Sequence, residues 1–221
     1  MPTEPRGDIG HIKPSGWHSV RYDIVDGGSL YNRCHLLGFQ LTVEIGAAIL
    51  RKLGYSDREE ELAKIAGFMH DIGNAINRTH HAELGALLAN DILKQTDMSV
   101  EDRICVIAAI GQHDESTGGS KDRISAALIL ADKTDVRRSR VRVKEQEKFD
   151  IHDRVNYSVQ KSSLKINEEK TQVKLELVVD TKYGSVMEYF EIFLERMNLC
   201  RRAADKLGLS FHLRINQQRV L

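Results

Sequence analysis

A mainly α-helical bundle followed by a small α+β unit is the fold class that this sequence predicts. Two observations carry the prediction. Apolar residues recur at helical spacing through successive stretches before residue 150, and strand-like alternation is confined to the last third of the chain. With 221 residues, the chain is long enough for one substantial core without disulfide staples.

Residues 1–30 hold all three prolines and show no sustained period, which predicts a tail or covering loop. Leu37, Leu41, Ile45, Ala48, Ile49 and Leu53 then mark a first helix over 36–53, stopped by Gly54. The second helix opens with Ser56 and Glu59 in capping-box spacing, aligns Leu62, Ile65, Ala66 and Met69, and ends at Gly73. Leu84, Leu87, Leu88 and Ile92 define a third. Ser99 and Asp102 open a fourth, which runs toward His113. After the turn-rich "DESTGGS", a long helix is expected from Asp122 into the 140s, apolar at Ile124, Ala127, Leu128 and Ala131 and increasingly basic beyond. "RVNYSVQKSSLKIN" and "TQVKLELVVD" flank the turn-like "NEEK" and predict a hairpin; a glycine-ended helix and the alternating "SFHLRINQQRVL" complete a ββαβ unit. The expected domains are thus 1–30, a helical domain over 31–149, and the small unit over 150–221.

Hydrophobic residues make up 41% and charged residues 29% of the chain, with no apolar run long enough to span a bilayer and no leader segment. The expectation is a cytoplasmic protein without a membrane partner. Lysine plus arginine equals aspartate plus glutamate at 32 each, so no global field draws in a nucleic acid polymer, and attraction for phosphate must be local. Cys34, Cys105 and Cys200 lie far apart with no CxxC pair, which points to reduced thiols.

The segment "GFMHDIGNAINRTHH" sets His70 beside Asp71 near a helix end, about 100° apart in projection, so both can flank one point. The dipeptide alone is equally explained by a histidine favoured at a helix C-terminus and a solvated acid. Its company matters more. His35, His81 and His113 fall near other element ends, and Asp132 sits in the apolar "ALILADKTD", where a buried unpaired carboxylate costs several kcal/mol and calls for a cation. Antiparallel helices would gather such residues at one edge of a bundle.

The ordered set His35, His70-Asp71, His81, His113 and Asp132 resembles the HD superfamily of metal-dependent phosphohydrolases over residues 30–145. The resemblance implies an HD-type helical bundle in which His35, His70, Asp71 and Asp132 hold a first metal. Asp71 would bridge to a second held by His81 and His113, with His80 as the alternative to His81. Its central "HDIG" is also similar to the HD-GYP branch, but Asn74 stands where that branch has lysine and no GYP signature follows. An HDIG-type enzyme is expected instead.

Mixed imidazole and carboxylate ligands suit one or two ions of iron, manganese, cobalt, nickel or zinc, with magnesium compatible. Such ions activate a water for attack on phosphorus, and no side-chain nucleophile stands out in the sequence. Asp71 is the first catalytic candidate; Asp135 and Glu115 are candidates to orient a ligand or pass a proton. Arg33, Lys133 and Arg137 are candidate phosphate contacts, with a solvated basic surface as the plain alternative. The expected substrate is a small phosphorylated molecule, in the first instance a nucleotide, and a homo-oligomer is compatible with the sequence. Two rival readings stay open: a mixed-valent di-iron oxygenase on the same fold, and a nucleotide- or metal-binding regulatory module with a partner-binding tail.

Overall fold

The computed structural model describes residues 33–136, 138, 141, 147 and 149–220, for 33–41 the backbone alone. Its helices are α1 (Arg33–Leu53), α2 (Asp57–Met69), a 3-10 turn at Ile72–Ala75, α3 (His81–Leu93), α4 (Val100–Gly111), α5 (Arg123–Lys133), α6 (Ile151–Ser158) and α7 (Val186–Lys206). The strands are β1 (Val159–Ile166), β2 (Gln172–Val179), β3 (Ser210–Ile215) and β4 (Gln218–Arg219). The chain is mainly helical with a small C-terminal sheet.

Local chemistry sets the helix ends. Ser56 caps α2 in a complete capping box with Glu59, and Gly54 closes α1 at φ +89°, a left-handed conformation open to glycine. Ser99 accepts from the Asp102 amide, whereas the Asp102 carboxylate goes to Ser99 Oγ and Arg58, tying α4 to α2. Arg51 grips the buried carboxylate of Glu60 at 2.7 and 2.9 Å and fixes α1 on α2.

The centre of the bundle is α5, buried at every position from Ile124 to Ala131 and packed against α2, α4 and α7. It is shorter than the sequence suggests. The helix ends at Lys133, because Thr134 Oγ1 donates to the Leu130 carbonyl at 2.6 Å and Ser162 Oγ from β1 takes up the Thr134 carbonyl at 2.8 Å. The helix that carries Asp132 thus stops short of the 140s, and Arg137 lies outside the described residues. The second helix likewise ends early, at Met69, and the residues up to Gly73 turn sharply instead.

The C-terminal unit keeps the expected hairpin, helix and strand, with additions at either end. Residues 151–158 are helical because Asp150 accepts from the Asp153 amide at 2.8 Å and Val155 and Ser158 face inward. The sheet order is β1-β2-β3-β4, antiparallel except for the parallel β2–β3 pair that α7 connects. Val173, Leu175, Leu177, Phe211, Leu213 and Ile215 form its buried face, and α7 contacts both β3 and α5. A single core thus runs from the bundle into the sheet. Among the described residues no helix is long and apolar enough to cross a membrane.

Leu130 is fully buried on α5. Leu130→Ala should lose about 2–5 kcal/mol in urea unfolding, against under about 0.5 kcal/mol for the exposed Ile104→Ala on α4.

Candidate metal centre

Three histidines share one local device. His70, the cap of α2, places Nδ1 2.8 Å from the Gly67 carbonyl; His81, opening α3, places Nδ1 3.1 Å from the Arg78 carbonyl; His113, just past α4, places Nδ1 2.6 Å from the Ile110 carbonyl. A carbonyl only accepts, so each Nδ1 carries a proton and, in the neutral ring, Nε2 keeps the lone pair. Backbone locking of this kind orients imidazoles toward a metal.

The three Nε2 atoms converge with two carboxylates in overlapping groups. His70, His113 and Asp132 form one, and Asp71, His81 and His113 the other, each with its donor atoms within 4.8 Å of one another. Asp71 faces both: Oδ2 lies 3.7 Å from His70 Nε2, and Oδ1 lies 3.6 Å from His81 Nε2 and 3.9 Å from His113 Nε2. Asp132 Oδ1 stands 3.6 Å from His70 Nε2. These separations exceed hydrogen-bond lengths and suit donors arranged around an ion at bonds of about 2.1 Å. His81 Nε2 also approaches His113 Nε2 at 3.2 Å, so the two nitrogens could share one cation. The donors present fit a divalent transition metal.

Burial and neighbouring charges set the protonation of these groups. Burial, helped by the Lys133 charge, pushes His113 down to about 4, so it stays a neutral ligand. Burial also pulls His70 down, but the Asp132 and Asp71 carboxylates outweigh it and hold His70 above its ordinary value. Burial alone would raise Asp132; Lys133 and His70 instead hold it well below the usual carboxylate range. Asn74, where a lysine was the point of comparison, donates its amide to Asp71 Oδ1 at 2.8 Å and steadies that carboxylate.

Close backbone approach brings these elements together. A Cβ on Gly73 would collide with the His81 carbonyl and lie 2.6 Å from the Gly85 amide nitrogen, so glycine is what lets the turn after His70-Asp71 rest on α3. His81 is buried and joins the cluster, whereas His80 is exposed with φ +60° and does not.

The other expected site residues fall as follows. Lys133 is buried, with Nζ 2.8 Å from both Asp132 Oδ2 and Glu115 Oε2. Burial lowers its affinity for a proton, but the two carboxylates more than reverse this. Glu115 also meets Arg196 at 3.3 Å; burial pulls its carboxyl up, and Lys133 and Arg196 prevail and keep it ionised. Asp135 is buried just past α5 and gives its backbone N–H to the Asp132 carbonyl at 3.3 Å. His35 and Arg33 belong to α1, but their side chains, like Arg137, lie outside the described residues. Arg196 was missed in the sequence, although a charge among Phe193, Met197 and Cys200 on the apolar stripe of α7 is a readable signal.

Two predictions follow from this geometry. His81→Ala should lower the metal content of purified protein, whereas His80→Ala should leave it unchanged; equal loss in both would contradict the cluster. Gly73→Ala should cost about 1–3 kcal/mol in thermal unfolding and reduce bound metal, because the turn must lift off α3.

Comparison with known proteins agrees with the site. The chain is 29% identical over 146 residues to an uncharacterized protein of Methanocaldococcus jannaschii, MJ1020, across 60% of this chain and 53% of that one. It thus spans about half the length of the curated relative it matches. The family model of the HD domain matches residues 39–155, a segment that contains His70, Asp71, His81, His113 and Asp132. The chain therefore belongs to the HD domain family, the superfamily of metal-dependent phosphohydrolases.

Proposed function

We propose that this protein hydrolyses a phosphate ester of a small molecule, in the first instance a nucleotide, with a water activated at a one- or two-metal HDIG-type site. The observation that carries the reading is the convergence of three backbone-locked imidazoles with Asp71 and Asp132 in two groups that share His113. When bound, the ion or ions would lower the pKa of a water and neutralise charge developing on the phosphoryl oxygens.

The chain's own groups supply the rest. His70, His113 and Asp132 would hold one ion, with His35 as the further ligand that the family pattern adds. His81 would serve a second, with Asp71 between the two and the single free donor of His113 going to one ion or the other. Asn74 fixes the rotation of the Asp71 carboxylate, so its two oxygens face different groups. Lys133 holds Asp132 ionised and pointed at His70. Asp135, whose backbone N–H meets the Asp132 carbonyl, stays a proposed group to orient a ligand or pass a proton, and Arg33 and Arg137 stay proposed contacts to the substrate.

Elemental analysis combined with a panel of phosphomonoesters, nucleotides and diesters, in the presence of manganese, iron, cobalt or nickel, tests the proposal. Asp71→Ala and Asp132→Ala should lose metal and phosphate release together, by more than the roughly 10–100-fold that supporting residues cost. Metal retained in both variants would overturn the ligand assignment. Oxygen consumption by an iron-loaded protein that releases no phosphate would replace hydrolysis with the oxygenase reading, and metal binding without any turnover would leave a regulatory module.

A further inference from the structure

Beside the metal centre, Glu115 occupies a cradle of two cations that the ligand set does not explain. Glu115 lies on the turn between α4 and α5. Its Oε2 meets Lys133 Nζ at 2.8 Å, and its Oε1 meets Arg196 Nη2 at 3.3 Å. Lys133 is almost wholly enclosed, at 7% side-chain exposure, while Glu115 at 28% is the outermost member of the group. The Arg196 guanidinium lies over the Phe193 ring, with its carbon 4.6 Å from the centroid, and its Nε is buried without a hydrogen-bond partner among the described residues. Both cations are thus held in place by the fold, Lys133 by α5 and Arg196 by the ring beneath it.

A carboxylate spanning two fixed cations makes the contacts a phosphate would make there, with two oxygens and a delocalised negative charge. Glu115 is the one member of the group that can leave, since it sits on a turn near solvent and needs only side-chain rotation. A phosphate carries more negative charge than the single Glu115 carboxylate and offers an oxygen to each cation, so it competes for the same two partners.

We propose that Lys133 and Arg196 form a phosphate subsite beside the metal centre, and that the Glu115 carboxylate holds this subsite until a phosphorylated substrate displaces it. The proposal rests on the phosphohydrolase reading and deepens it. The C-terminal unit, through Arg196 on α7, then contributes directly to recognition of substrate, and Glu115 acts as an internal competitor rather than as a proton donor.

Calorimetric titration of inorganic phosphate into the metal-loaded protein tests this. Glu115→Gln should bind phosphate about tenfold or more tightly than the unaltered protein, because the competing charge is gone. Arg196→Ala should weaken binding in either background, and Arg196→Lys should restore part of it. With metal content and melting temperature unchanged, a Glu115→Gln variant that binds phosphate no better overturns the proposal. If Glu115→Gln does not fold, an Arg196→Ala variant that binds phosphate like the unaltered protein overturns it instead. The two readings fail separately. Hydrolysis with no gain in Glu115→Gln sinks the subsite alone; a gain without hydrolysis of any ester in the panel sinks the hydrolase.

Discussion

A neutral imidazole that donates its Nδ1 hydrogen to a backbone carbonyl keeps one lone pair, and the backbone decides where that lone pair points. His70, His81 and His113 all obey this constraint through the carbonyl three residues earlier. The helix ends carrying them must therefore meet at one place, with carboxylates to balance whatever cation the lone pairs attract. Burial makes the constraint strict. Enclosed at α5, Asp132 would cost several kcal/mol without compensation, and Lys133 and His70 supply it. Packing around the centre follows from keeping these groups in register: glycine at 73 so that two backbones can touch, Asn74 to hold Asp71, and the buried run 124–131 of α5 behind.

Much of this was legible in the sequence, for a physical reason. Helical periodicity and capping chemistry are local, so α1 to α4 and the hairpin could be placed from spacing alone, and an acid in an apolar run announces its own burial. What was not legible depends on contacts far away in the chain. Nothing local ends α5 at Lys133: the residues beyond it are acceptable helix formers, and the stop comes from Thr134 bonding back to Leu130 while β1 takes the Thr134 carbonyl. Similarly, "RVNYSV" carries strand-favouring residues, yet Asp150 as a cap and the inward-facing Val155 turn it into α6.

The relation of the sheet to the bundle was also out of reach. Composition and alternation describe a separate small unit, but α7 is amphipathic on more than one side. It covers β3 and also meets α5, and it brings Arg196 to Glu115. An arginine within an apolar stripe is a fair sign that something charged waits opposite. Its partner, more than eighty positions earlier in the chain, can be named only once the fold is known. The sheet thereby supports the bundle at the turn nearest the centre.

Donor geometry also bears on how many ions the proposed site would hold. An Nε2 lone pair serves one ion at a time, and His113 belongs to both groups. If His113 serves the ion near His81, which its 3.2 Å approach favours, the other group is left with His70, Asp132 and whatever Asp71 provides. Among the described ligands, Asp71 alone sends one oxygen to each side. A second ion therefore depends on that carboxylate spanning the gap, and on Asn74 fixing its rotation.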